Sequence, residues 1–335
     1  MLSKLNKTFN QTPNYIIQDQ IGDGGFSEVY KIKEFVSGKA YALKVFNQEK
    51  CDESTILKEI KINKIISESN CPYIIKYISS NMENTNKNEF TVNDNGAKYM
   101  ISELATKGEL FDYIKIKENG FTEQSCKLTI FKVLKALQVL NQKGICHRDV
   151  DPQNILLDGE RYQVKLGDFG LSEFLYNEKG EKIFFKEKAG KISFMAPEIL
   201  YNKKGYDGAK SDIFSAGVLL FVLKTGKIPF SFDKDNYSSI VLKLYSFIKY
   251  KKEDIYWEKL AYLFKLKYNL ELKLDPLFKD LFLKMVAYNP NERPTIEEIL
   301  EHPYMIEVSH ANEEQFTLYE NKWIEELNKI ESIMP

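Results

Sequence analysis

Apolar positions alternate through Tyr15, Ile17, Ile21, Val29, Tyr30 and Ile32, and the run Gly22-Asp23-Gly24-Gly25 sits at the centre of the pattern. A period of two interrupted by glycine predicts two strands joined by a turn. A third strand is predicted over residues 40–46. Over residues 54–66 the period changes, because Ile56, Leu57, Ile60, Ile62, Ile65 and Ile66 recur near helical spacing and predict a helix. Strands are predicted again at 71–79 and 99–104, with the Asn-rich stretch 81–97 as an extended hairpin loop between them. From Gly108-Glu109, which opens a helix, helical periods take over. A long amphipathic helix is predicted over 121–143 and a strongly apolar, core-forming one over 211–224. Helices with surface loops are expected within 231–274, and residues 289–304 close the domain. Strands before and helices after a boundary near Ala105 predict an α+β protein with a small sheet-rich lobe, 15–104, and a larger helical lobe, 105–305.

Outside that body lie a polar stretch, 1–14, read as a flexible leader, and a tail, 306–335. Within the tail, Phe316, Tyr319, Trp323, Leu327 and Ile330 fall on one helical face. Two readings stay open: a helix packed on the domain, or one that meets a regulatory partner.

Composition narrows the class. The 335 residues are 43% apolar and 28% charged, with a formal net charge of −1. That balance is globular and gives no reason to expect a nucleic-acid or polybasic membrane partner. Cys51, Cys71, Cys126 and Cys146 form no CxxC pair and read as free buried thiols of a reducing compartment. The three histidines are too scattered for a metal cluster. Residues 1–12 have no apolar core and do not read as a secretory signal. The most continuous apolar run, 216–223, is far short of the ~20 residues a membrane span needs. The expectation is a soluble, cytoplasmic protein.

The candidate chemistry centres on His147-Arg148-Asp149-Val150-Asp151-Pro152-Gln153-Asn154, followed by the apolar Ile155-Leu156-Leu157. A loop that presents carboxylates and an amide before a short strand suits metal-phosphate chemistry, because hard oxygen ligands bind Mg²⁺ and a free Asp can orient a hydroxyl. Alone it could be a polar turn. The glycine run is equally weak alone, and it lacks the helix that a dinucleotide fingerprint needs next, since Val29-Tyr30-Lys31-Ile32-Lys33 reads as a strand. Lys44 lies among Ala42, Leu43 and Val45, where an unpaired ammonium would be costly; it is either a snorkelling surface lysine or a paired charge.

Taken in order, the glycine run, Tyr41-Ala42-Leu43-Lys44, the central loop, Asp168-Phe169-Gly170 and Ala196-Pro197-Glu198 resemble the signature set of the eukaryotic protein kinase superfamily, over about residues 15–305. The resemblance implies a two-lobed protein kinase fold and transfer of phosphate from Mg-ATP to Ser or Thr of protein substrates. It implies that Ile21, Gly22, Gly24, Gly25, Val29, Ala42 and Leu156 surround the nucleotide, and that Ser102, Glu103 and Ala105 line or bond the adenine. Lys44, fixed by Glu59, would meet the α- and β-phosphates. Asp149 would be the catalytic base, with Asn154 and Asp168 holding Mg²⁺. Asn63 stands where the family places a large apolar residue, so a looser helix position or a polar contact is expected there. Arg148 would pair with Glu187 or a neighbour in place of a phosphorylated residue. Glu198 with Arg293, and Asp212, match structural positions.

Two departures stand beside the chemistry. The family's Ser/Thr members carry Lys where this chain has Asp151, and Thr where it has Lys191. The pair reads as a charge swap in which Lys191 contacts Asp151; the alternative is a degraded site, a pseudokinase or nucleotide-binding scaffold acting through protein interactions.

Overall fold

The computed structural model describes residues 15–82, 96–201, 204–230 and 239–334. The leader, most of the expected hairpin loop at 81–97 and the stretch 231–238 lie outside the described residues. Two compact units divide the chain, one ending at Thr106 and the other starting at Lys107.

The first unit consists of β1 (Tyr15–Asp23), β2 (Ser27–Glu34), β3 (Ala40–Phe46), α1 (Glu53–Ser67), β4 (Tyr77–Ser80) and β5 (Tyr99–Glu103). The strands form one antiparallel sheet in the order β1-β2-β3-β5-β4. Side chains alternate across a pleated strand, so the apolar positions sort into two layers. Tyr30, Ile32, Leu43, Tyr99 and Ile101 cluster on one face. Phe46 and Met100 turn to the other, where Ile56 and Ile60 of α1 cover them. Helix α1 starts where Asp52 caps it by accepting from the Thr55 N–H at 2.7 Å. The strand expected over 71–79 is shorter than its apolar content suggested, running only over β4. Pro72 cannot donate to a ladder, and the Ile74 N–H turns back to the Cys71 carbonyl, although Ile74 and Ile75 remain buried.

The second unit opens with α2 (Leu110–Ile116) and α3 (Glu123–Gln142). Two short ladders follow: β6 (Ile145–Cys146) pairs with β9 (Glu173–Phe174), and β7 (Ile155–Asp158) pairs with β8 (Gln163–Leu166). Next come α4 (Pro197–Tyr201) and α5 (Gly208–Thr225). Every residue of α5 from Ser211 to Leu223 is buried, which is why the helix is apolar all round instead of striped. Gly217 lets it approach its neighbours, since a Cβ there would meet the Met285 Cβ at 2.8 Å. Helices α6 (Ser239–Lys249), α7 (Glu253–Tyr268), α8 (Pro276–Met285), α9 (Ile296–Leu300) and α10 (Ile306–Ser309) complete the body.

The tail forms α11 (Glu313–Glu331), opened by a capping box of Asn312 and Gln315. Its apolar stripe is covered by the chain's own second unit: Trp323, Leu327 and Ile330 are buried, and the Trp323 indole N–H donates to the Tyr162 carbonyl at 2.9 Å. Glu326 accepts from the Thr122 N–H at 3.1 Å at the start of α3, and Lys117 pairs with the same carboxylate. Phe316 and Tyr319 on the same stripe are only partly covered. Among the described residues no helix is long and apolar enough to cross a membrane.

Candidate active site

In the first unit the strand register places Val29 opposite Lys44, Lys44 opposite Met100, and Ala42 opposite Ser102. Residues directly opposed in a sheet share a face, so four of the residues expected around a nucleotide lie together, on the same face as Met100. Helix α1 packs on that face and delivers Glu59, whose carboxylate lies 2.6 Å from the Lys44 ammonium. Lys44 is therefore a paired lysine, not a snorkelling one. Asn63 stays buried by donating from Nδ2 to the Glu59 carbonyl at 2.9 Å, one turn back, so its amide is satisfied within the helix that carries the pair.

The glycine turn is closed by the Gly24 N–H donating to the Ser27 carbonyl at 2.9 Å. None of Gly22, Gly24 and Gly25 has a positive φ, so backbone freedom does not explain them. Gly22 is needed for space, because a Cβ would stand 3.3 Å from the Val29 Cβ. A Cβ on Gly25 would meet nothing within 4 Å, and what its missing side chain leaves is open backbone. At the end of β5 the Glu103 N–H is committed to the Lys76 carbonyl at 2.9 Å. Ala105 has no hydrogen-bond partner among the described residues.

In the second unit the central loop runs from β6 to β7 and is hung from Asp212 on α5. The Asp212 carboxylate accepts from the His147 N–H at 2.7 Å and the Arg148 N–H at 2.8 Å. Its burial pushes the carboxyl up to about 7 despite those two donors. His147 is buried, which lowers its pKa and keeps it neutral. It bridges the Gly167 carbonyl at Nε2, 3.0 Å, and the Asp149 N–H at Nδ1, 3.2 Å. Those bonds tie the loop to the segment that carries Asp168.

Asp149 is held from two sides. Oδ2 accepts from Asn154 Nδ2 at 2.8 Å, and Oδ1 accepts from the Lys191 N–H at 3.1 Å. Asn154 Nδ2 also donates to the Asp149 carbonyl at 2.8 Å, so the amide's nitrogen side is spent on Asp149 and its oxygen is the acceptor left for a cation. The Asn154 carbonyl receives the Gly167 N–H at 2.9 Å, which brings Asn154 next to the segment of Asp168. An amide oxygen and a carboxylate are the hard donors Mg²⁺ takes alongside phosphate and water. Arg148 and Asp168 have φ of 68° and 51°, a left-handed conformation that costs energy for a non-glycine residue and marks both segments as strained.

Asp151 is 1% exposed, and its Oδ1 lies 2.8 Å from the Lys191 ammonium. The Gln153 N–H donates to the same oxygen at 2.7 Å, and Lys191 also contacts the Gln153 side-chain oxygen. Burial, and after it the neighbouring Asp149 charge, pushes the Asp151 carboxyl up to about 6 even though Lys191 opposes the rise. Because the folded value stands above the ordinary 3.8, the folded state binds more protons between these values. The stability Asp151 contributes is therefore full below about pH 4 and is lost as pH rises through 6, on the order of 3 kcal/mol at most. Asn stands in for the protonated carboxyl, so between pH 4 and 7 the Tm profiles should separate, the wild type falling relative to Asp151→Asn as pH rises; profiles that stay parallel would show that Asp151 does not titrate in this range.

Arg148 does not meet the Glu187 carboxylate. Its guanidinium reaches only the Glu187 carbonyl, at 3.4 Å, and its carboxylate partner is Glu173, at 3.6 Å. Tyr206 accepts from Arg148 Nε at 2.9 Å, and the Phe185 ring lies 4.8 Å below the guanidinium. The β6–β9 ladder puts Glu173 opposite Cys146, close enough to the guanidinium to serve it, and no spacing in the sequence announces that. Gly190 was also missed: at φ 91° it passes so close that a Cβ would meet the Arg148 carbonyl at 2.5 Å. Any side chain there would push Lys191 off Asp149. Glu198 and Arg293 form a buried two-pronged pair at 2.6 and 2.7 Å.

An ion-paired strand lysine, a glycine turn with open backbone and a loop holding an acid beside an amide define the parts of a phosphate-handling protein. The protein kinase domain family matches residues 15–305, and the chain belongs to that family, with its α+β fold. It is 33% identical to CBL-interacting protein kinase 11 of Oryza sativa subsp. japonica over 64% of this chain and 40% of the relative. With the serine/threonine-protein kinase GD17699 of Drosophila simulans it shares 31% over 95% of this chain and 39% of the relative. The DNA damage response protein kinase DUN1 of Saccharomyces cerevisiae is 29% identical over 93% of this chain and 59% of that protein. The chain thus spans between 39% and 59% of the lengths of these relatives.

Proposed function

We propose that the chain transfers the γ-phosphoryl group of Mg-ATP to Ser or Thr hydroxyls of protein substrates. The observation that carries this reading is the Asp149 carboxylate, fixed by Asn154 Nδ2 and the Lys191 N–H beside the segment of Asp168. Lys44, held by Glu59, would hold the α- and β-phosphates, with the turn of Gly22, Gly24 and Gly25, open at Gly25, covering them. Ile21, Val29, Ala42 and Leu156 would flank the adenine, with Ser102 behind it, the Glu103 carbonyl accepting from it and the Ala105 N–H donating to it. Asn154 and Asp168 would hold Mg²⁺, which when bound neutralises charge on the phosphates.

Asp149 orients the acceptor hydroxyl and takes its proton as the new oxygen–phosphorus bond forms. The bond from the γ-phosphorus to the bridging oxygen breaks, and ADP leaves. Lys191 compensates Asp151, so that the loop presents an ammonium where an unpaired carboxylate would repel phosphate. A regulatory partner of α11 would have to meet its exposed side, because the stripe around Trp323 is occupied by the chain itself.

A second reading, a nucleotide-binding scaffold, is favoured by one observation: the buried Asp151 carboxyl stands where repulsion would harm transfer. Labelled γ-phosphate, a generic protein substrate and phosphoamino-acid analysis separate the two. Label on phosphoserine or phosphothreonine, abolished by EDTA, is expected; ATP binding without any transfer would establish the scaffold instead.

A further inference from the structure

Beside the candidate base the second unit has a cavity of about 580 Å³. Its apolar wall includes Phe111, Ile192 and Val222. Phe111 and Ile192 are 40% and 37% exposed, large apolar side chains turned to an open space instead of the core. Three lysines, Lys115, Lys191 and Lys227, line the same cavity against a single carboxylate, that of Asp151, which is buried and already paired with Lys191. Among the described residues Lys115 has no ion-pair partner, and the Lys227 ammonium meets the Tyr268 ring, 4.9 Å away, and no carboxylate. Gln153 and Val222 face the cavity without charge, and the Glu109 carboxylate, within electrostatic reach of Lys191 and Asp151, does not line it.

We propose that this cavity selects the protein substrate: it takes a large apolar side chain, and its lysine rim favours an acidic residue next to it, both within about two residues of the acceptor hydroxyl. The inference rests on the kinase reading for the identity of the occupant. The distance follows from Lys191, whose N–H bonds Asp149 while its side chain lines the cavity. One residue thus bridges base and cavity, and an extended substrate advances roughly 3.3 Å per residue. Charge complementarity decides the sign of the preference, because the free ammoniums repel a basic neighbour and attract an acidic one. The apolar wall supplies the affinity that partly exposed charges cannot.

The test is a set of labelled peptides with one Ser acceptor, flanked by Leu and Glu, Ala and Glu, Leu and Lys, or Ala and Lys. Binding is read by fluorescence anisotropy and transfer by kcat/KM, on the wild type and on K115E/K227E. The Leu and Glu peptide is expected to bind at least about 10-fold tighter than the Ala and Lys peptide. K115E/K227E should reverse the Glu-over-Lys preference, by roughly 3-fold per lysine, and keep the Leu-over-Ala ratio. Equal binding of all four peptides, or a charge preference unchanged in K115E/K227E, overturns the proposal. Transfer at one rate to all four would overturn it and leave the kinase reading intact. Selective binding with no transfer to any would support the cavity and overturn the kinase reading.

Discussion

Asp149→Asn should leave the chain folded and able to bind ATP while lowering kcat for protein phosphorylation by about 10²–10⁴-fold, the usual worth of a positioned general base. The carboxylate has an acceptor role on both oxygens: Asn154 Nδ2 donates to one at 2.8 Å and the Lys191 N–H to the other at 3.1 Å. An amide in its place can accept at only one oxygen, so its NH₂ would face one of those donors. It also cannot receive the proton released as the acceptor oxygen attacks. KM for ATP should change little, because the proposed nucleotide contacts of Lys44, Glu59 and the glycine turn lie in the first unit and are untouched. Steady-state kinetics on wild type and variant check this directly. A variant that keeps kcat and raises only KM would assign Asp149 to substrate binding and remove it from the chemistry.

What could be seen beforehand follows the range of the interactions involved. Periodicity is local, so the strand at Ala40–Phe46 was expected with the bounds it has, and α1 and α5 differ from expectation only at their ends. The failure at 71–79 is also local: apolar content was read as a strand although Pro72 interrupts the ladder. Lys44 with Glu59 came from the resemblance, since a separation of fifteen residues gives no spacing rule of its own. Glu173, Tyr206 and Gly190 were illegible for a different reason. Each acts on Arg148 or its neighbour across a tertiary contact, and an acid, a tyrosine and a glycine in a polar loop look the same whether or not a guanidinium lies opposite. The tail shows the same limit from the other side. Its stripe predicted a covered face, but only the Trp323 and Glu326 contacts identify the cover as the chain's own second unit.

Lys191→Ala should lower kcat by roughly 10–100-fold without abolishing nucleotide binding, and the double variant Asp151→Lys with Lys191→Thr should recover most of the loss. The ammonium stands 2.8 Å from a carboxylate that is 1% exposed, but Lys191 itself is 42% exposed, and solvent screens much of the attraction. Bare Coulomb energy at that separation would be about 6 kcal/mol for an effective dielectric of about 20; after screening, on the order of 1–3 kcal/mol is left to appear in the rate. Removing the lysine leaves Asp151 buried beside Asp149 with only neutral donors, the Gln153 N–H and a long bond from Asn154 Nδ2, and the two carboxylates then face the incoming phosphate together. The double variant puts an ammonium on the loop side and a hydroxyl opposite, restoring the charge count with the partners exchanged. Asp151→Lys alone, with Lys191 retained, places two ammoniums in contact and should be slower than the double variant. Unchanged kcat in Lys191→Ala would mean that the ion pair is structural only. Recovery in the double variant combined with loss in both singles would show that the charge, and not the identity of either side chain, is what the site requires.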